Sequence, residues 1–176
     1  MQDENSSSRP EVFSMCPIGL IHTPFQQATG TPIQSAVAPN SEGVVELFPE
    51  FTLGLLDLEG FERLWLIYLL NRASTPQLLV RPYLDDQAHG VFATRAPARP
   101  NHIGMSAVRL VSVEQNRLFI AEVDMLDGTP VLDIKPYIPA FDCFEVTRTG
   151  WFHGKSVQGE VADDRFEAQS PNPHKT

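Results

Sequence analysis

Cysteine is almost absent: Cys16 and Cys143 stand far apart with no CxxC or CxxH neighbour, so neither a disulfide framework nor a zinc site is suggested. Both are expected as buried thiols. His22, His89, His102, His153 and His174 form no HxxH or HExxH pair, which argues against a protein-bound metal. Long apolar runs are missing too. The longest, Leu64 to Leu70, has seven residues against the roughly 20 that a bilayer requires, so no membrane span is expected. No GxGxxG turn occurs, which leaves a doubly wound nucleotide fold without an anchor. GxxxGKS at 150–156 is one residue short of a P-loop and leaves too little chain for the βα unit. The opening MQDENSSSRPEVF has no basic stretch leading into an apolar one, so no secretory signal is expected and the cytoplasm is the default compartment.

What is present is an ordinary globular balance. Of 176 residues, 42% are hydrophobic and 20% charged, enough for a core that removes roughly 70% of the unfolded surface from water. The length predicts one domain over 13–166, with a flexible segment over 1–12 and a disordered tail over 167–176. Fifteen prolines and 11 glycines break the chain into short segments and disfavour a helical bundle. The net charge is −9, which taken as a whole repels nucleic acid. Its distribution is uneven, because residues 63–109 hold six arginines against two aspartates while both flanks are acidic. Arginine suits bidentate recognition of carboxylate or phosphate, so this island is either a binding surface or a set of ordinary surface arginines.

Short strand signals recur. Residues 16–23 read as a first strand stopped by Pro24, 43–48 as a second, and 49–61 as one short helical turn. ERLWLIYLL over 62–70 predicts a central strand covered on both faces. Further strands are expected at 77–81, 90–95, 104–114, 117–126 and 129–137. In 117–126, Phe119, Ala121, Val123 and Met125 share one face, with Glu122 and Asp124 on the other. Asp127-Gly128 then predicts a tight hairpin turn. The return strand sets Leu132 and Ile134 on one side, and Val131, Asp133, Lys135 and Tyr137 on the other. Such spacing predicts an all-β fold, a closed antiparallel barrel or a sandwich.

Three segments, 44–68, 90–106 (GVFATRAPARPNHIGMS) and 124–142 (DMLDGTPVLDIKPYIPAFD), together with IGLIHTPF and GTPIQ within 18–34, resemble the TsaA-like family, also called TrmO. The likeness runs from about residue 16 to about residue 166. It implies a closed antiparallel β-barrel with short helical turns, usually a homodimer, that binds S-adenosylmethionine. It implies methyl transfer to the N6 nitrogen of threonylcarbamoyladenosine at position 37 of tRNA, in the anticodon loop. Carried over by motif, the donor pocket would use Pro32, Ile33 and Gln34, then Arg95 and Met105, then Leu126, Asp127, Gly128 and Thr129, with Asn71 and Arg72 contributing. The chain departs from the family pattern at 80–84 (VRPYL), 99–104 (RPNHIG) and Leu70-Asn71-Arg72. At this length no counterpart is expected of the C-terminal domain with which longer bacterial members of that family engage tRNA. Two other readings therefore stand beside the first: methylation of another small or nucleotide-like acceptor, and a non-catalytic donor-binding barrel.

Methyl transfer from a sulfonium is an in-line displacement, so holding donor and acceptor in near-attack geometry is the main task. An N–H flanked by a purine and a carbonyl is acidic enough for a nearby group to take its proton. Asp133 and Tyr137 are candidates by their shared face, with Lys135 as a neighbouring charge. Equally, Asp133 and Lys135 read as a structural ion pair. Asn101 completes this candidate catalytic set. It follows the loop stiffened by Pro97, where Arg95 and Arg99 would cradle a carboxylate or an RNA phosphate. A splayed anticodon base would stack on Tyr83, Phe92 or Tyr137, although Phe92 between Val91 and Ala93 reads as core.

Overall fold

The structure, a computed structural model, describes residues 12–157 and 160–166. The expected frayed segment, apart from Val12, and the expected tail over 167–176 lie outside the described residues. Among the described residues eight strands form: β1 (Gly19–His22), β2 (Glu42–Leu47), β3 (Arg63–Leu69), β4 (Leu79–Val80), β5 (His89–Gly90), β6 (Ile103–Glu114), β7 (Arg117–Ala121) and β8 (Thr129–Pro136). Six of them close into an antiparallel barrel in the order β1-β2-β7-β6-β3-β8, while β4 and β5 pair separately. The remaining regular structure is short 3-10 turns and one four-residue helix, α1 (Pro139–Asp142). This is the all-β barrel with short helical turns that the sequence led us to expect.

Alternation builds the interior. On β3, Leu64, Leu66 and Tyr68 are buried, while Trp65 and Ile67 stay half-buried on the outer wall. Ile21, Val45, Val108, Leu118, Ile120 and Val131 fill the same core, and each aliphatic side chain fully buried there contributes about 1.5–3 kcal/mol. β3 is therefore buried on one face rather than on both, because a closed barrel leaves its outer wall to solvent.

Strand direction alternates around the ring, so one mouth receives the connections 23–41, 70–102 and 122–128, and the other receives 48–62 and the β6–β7 hairpin. At this second mouth two 3-10 turns, Pro49–Leu55 and Leu58–Gly60, press Phe51, Leu55 and Leu58 onto the core. The first mouth stays accessible.

β7 corrects the sequence reading. It ends at Ala121 rather than at 126, since Glu122 adopts a left-handed φ of 65°. The Glu122 carboxylate accepts two bonds from Arg63 at 2.8 and 3.1 Å and lies 3.6 Å from Arg109. Within β7, Leu118 and Ile120 face inward and Phe119 does not; past the kink, Val123 and Met125 are buried. Asp127-Gly128 is consequently no hairpin turn, because β7 and β8 stand on opposite sides of the ring and never pair. Residues 122–128 instead cross the first mouth. The Asp127 N–H donates to the Phe25 carbonyl at 2.7 Å, and the Gly128 N–H donates to the Ile21 carbonyl at 2.8 Å.

Three smaller expectations also give way. The strand over 90–95 shrinks to the end of β5 plus a 3-10 turn, Val91–Ala93, which turns Phe92 outward at 75% exposure instead of into the core. A register slip between β3 and β8 skips Leu132, so Val131 joins the interior instead of sharing a side with Asp133. Cys16, ahead of β1, and Cys143, just past α1, are exposed rather than buried. Among the described residues no helix is long and apolar enough to cross a membrane.

Candidate functional site

The first mouth opens into a cavity of about 860 Å³, within the size range of small-molecule sites. All three of its connections contribute walls. Pro32, Ile33 and Gln34 come from 23–41, Asn71, Arg72 and Arg95 from 70–102, and Leu126 from the crossing segment, with Met105 and Thr129 at the heads of β6 and β8. Nine of the eleven residues carried over by motif thus line one cavity. Asp127 and Gly128 stand just behind it. The Asp127 carboxylate accepts the Thr23 N–H at 3.1 Å and lies 3.7 Å from His22 Nδ1, which latches the crossing segment to the end of β1.

The basic island divides by role. Arg63 and Arg109 pair with Glu122. Arg99 donates to the carbonyls of Val91 and Thr94 at 3.1 and 2.9 Å, so it knits the 91–96 loop together. Arg72 donates to the Gln26 carbonyl at 2.6 Å and ties two mouth connections to each other. Arg95 donates to the Gln34 side-chain oxygen and is exposed at the cavity wall. A guanidinium carries five N–H donors, so Arg95 retains capacity for an anionic ligand.

The inner end of the cavity is a polar chain that the sequence reading missed. Tyr68 Oη lies 2.9 Å from Ser106 Oγ, and Ser106 Oγ donates to an Asp124 carboxylate oxygen at 2.7 Å. All three residues line the cavity. Burial raises the Asp124 carboxyl to about 6, opposed by hydrogen bonds from Ser106 and the Ser35 N–H and by the charge of Arg95. Burial also pushes the Tyr68 phenol well above its ordinary range. A carboxyl so perturbed within a cleft marks a candidate functional group. In the sequence, Asp124 occupies the solvent side of an alternating strand. Only the kink at Glu122 turns it into the mouth.

The candidate catalytic set lies elsewhere. Asp133 and Lys135 face outward opposite Ile67 and Trp65, where they pair at 2.7 Å with 46% and 61% exposure. The Tyr137 ring packs 5.5 Å from the Trp65 ring. Asn101 sits in an exposed turn. None of the four lines the cavity.

A strap formed by 149–157 and 160–166 lies over the cavity. The Ala162 N–H donates to Thr31 at 2.7 Å, the Ser74 N–H to Phe166 at 2.8 Å, and the Trp151 indole N–H to Ala93 at 2.7 Å. Lys155 bonds the Asp85 carboxylate at 2.9 Å and the Leu84 carbonyl at 2.8 Å. Tyr83 lines the cavity and packs edge-on against Phe166 at 5.4 Å. Among the described residues no group of three or more His, Cys, Asp or Glu is arranged to hold a metal.

A closed barrel with a small-molecule cavity at one mouth, cationic at its wall and carboxylate-bearing at its inner end, defines a ligand-binding barrel unrelated to doubly wound nucleotide folds. The family model of the tRNA-methyltransferase O N-terminal domain matches residues 20–143, and the chain belongs to this family. A Pyrococcus abyssi (strain GE5 / Orsay) protein named "Probable S-adenosyl-L-methionine-binding protein" is 54% identical over 148 residues, which are 84% of this chain and 80% of the relative. The crystal structure of TrmO from Pseudomonas aeruginosa matches with a TM-score of 0.68 at 41% identity, covering 80% of this chain and 63% of that one. The tRNA (adenine(37)-N6)-methyltransferase of Mus musculus is 35% identical over 133 residues, 72% of this chain but 31% of the mouse protein. The chain therefore spans less than two thirds of these last two proteins. The strap lies beyond the residues that the family model matches.

Proposed function

We propose that this chain is an S-adenosylmethionine-dependent methyltransferase that acts on the N6 nitrogen of adenosine 37 in tRNA, with the threonylcarbamoyl-modified nucleoside in the anticodon loop as its acceptor. The observation that carries the reading is the mouth cavity, whose chemistry matches the donor group by group. S-adenosylmethionine, when bound, supplies an electrophilic methyl on a cationic sulfur, and it also carries a carboxylate and a purine. Arg95 and Gln34 receive the carboxylate through charge-assisted hydrogen bonds. Ile33, Met105 and Leu126 line an apolar wall for the purine, and Asn71 and Arg72 add polar groups to the same cavity lining. Asp127 and Gly128 act from behind by holding Leu126 and Thr129 in place. In this reading Asp133 and Lys135 form the outer-wall ion pair, Tyr137 packs on Trp65, and Asn101 shapes the turn before β6.

Phe92 and Ile103 are exposed apolar side chains at the cavity lining, which supports pairing of two copies into a homodimer at this end. Cytoplasmic tRNA is the proposed acceptor pool, which goes with a cytoplasmic protein. The test is to incubate the purified protein with methyl-labelled donor and with tRNA that carries or lacks the threonylcarbamoyl group. Label is expected in the modified tRNA alone. Equal labelling of both tRNAs would contradict the assigned acceptor, and donor binding without label in any RNA would contradict the RNA assignment.

A further inference from the structure

A carboxylate at the inner end of a ligand cavity has to be explained, because burial disfavours its charged form. Asp124 is half-buried, reachable through the cleft and enclosed by protein on its other sides. Three donors support it, the Ser106 hydroxyl of β6 at 2.7 Å, the Ser35 N–H and its own backbone N–H. Tyr68 of β3 stands behind Ser106 at 2.9 Å. The ionisable groups facing this carboxylate among the described residues are Tyr68 and, across the cavity, Arg95. These three donors leave the carboxylate about one of its roughly four lone-pair positions for a hydrogen bond from the cavity side.

We infer that Asp124 is the catalytic proton acceptor of the methyl transfer, with Ser106 and Tyr68 as positioning residues that aim it. The inference rests on the proposed function. As the acceptor nitrogen forms its bond to the methyl carbon, the carbon–sulfur bond breaks and its electron pair stays on sulfur. The N–H proton passes to Asp124, which becomes a neutral carboxylic acid and later returns the proton to water. The Ser106 hydroxyl steadies the carboxylate before the transfer, and the buried Tyr68 hydroxyl fixes the Ser106 rotamer.

The test uses the full chain with Asp124→Asn and Ser106→Ala. Single-turnover labelling of modified tRNA is followed from pH 5 to 9, calorimetry measures affinity for S-adenosylmethionine and S-adenosylhomocysteine, and carboxyl carbon NMR follows the titration of residue 124. In the wild type the rate rises with pH to a plateau, because only the ionised carboxylate accepts a proton. Asp124→Asn is expected to keep both affinities and to lose roughly 10²–10⁴ in rate together with the pH limb. Ser106→Ala removes a bond that favours the charged form, so the kinetic limb and the NMR titration both move to higher pH. A merely structural contact would not shift the two together. Asp124→Asn with an undiminished rate overturns the inference alone, as does loss of affinity for the cationic donor but not for its neutral product, which would make Asp124 a charge partner. Donor binding with no transfer in the wild type overturns the proposed function and this inference with it.

Discussion

Charge reversal at Arg95 is expected to lower affinity for S-adenosylmethionine by roughly ten- to hundredfold while leaving the barrel folded. A hydrogen bond to a charged group is worth about 1.5–3 kcal/mol, and the exposed setting of Arg95 keeps the expectation from exceeding that range. The side chain bonds only Gln34 among the contacts described for it, so the core does not depend on it. Arg99→Glu is the informative comparison, since its donors go to the Val91 and Thr94 carbonyls. That variant is expected to lower Tm by loosening the 91–96 loop. Calorimetry and thermal melting on the two variants check the division of labour. Wild-type donor affinity in Arg95→Glu, or loss of affinity in Arg99→Glu with no loss of Tm, would reverse the assignment.

Gly19→Ala is expected to destabilise the fold by about 3 kcal/mol, the upper part of the usual range for overpacking. A Cβ at this position would collide with the Glu46 carbonyl oxygen and sit 2.8 Å from the Leu47 Cα. Both are backbone atoms of β2, the strand to which Gly19 pairs at Leu47, so relief requires β1 to move away and the barrel to open at that seam. For a chain of this length the loss corresponds to roughly 6–12 °C in Tm. Gly60→Ala supplies the control, because nothing lies within 4 Å of its added Cβ. Equal melting temperatures for the two variants would show that the β1–β2 approach relaxes without cost.

Much of the barrel is legible in local pattern. Leu64, Leu66 and Tyr68 alternate as a half-buried strand should, and the seven-residue β3 ends where Asn71 and Arg72 begin a turn. What the pattern hides is long-range. Residues 117–126 alternate cleanly, yet β7 stops at Ala121, where Glu122 takes a left-handed φ and pairs with Arg63 and Arg109, both distant in sequence. The barrel order removes the hairpin, and the left-handed residue at Glu122 breaks the alternation just before Asp124. The cavity lining was legible through motif likeness, which brought Pro32, Arg95 and Leu126 to one cavity across almost one hundred residues. The Asp133 to Tyr137 stretch shares a side as expected for Asp133 and Lys135, but periodicity carries no information on which side faces the cavity. Barrel closure decides that, and it faces them outward.

The central claim is that the mouth spanned by residues 122–128 holds the methyl donor. Hydrogen exchange of the full chain with and without saturating S-adenosylmethionine tests it most directly, since ligand contact slows local opening where it occurs. The account predicts added protection at 31–34, 93–96 and 124–129, with 49–60 at the opposite mouth unchanged. Protection confined to 49–60, or none anywhere at saturating donor, would contradict it.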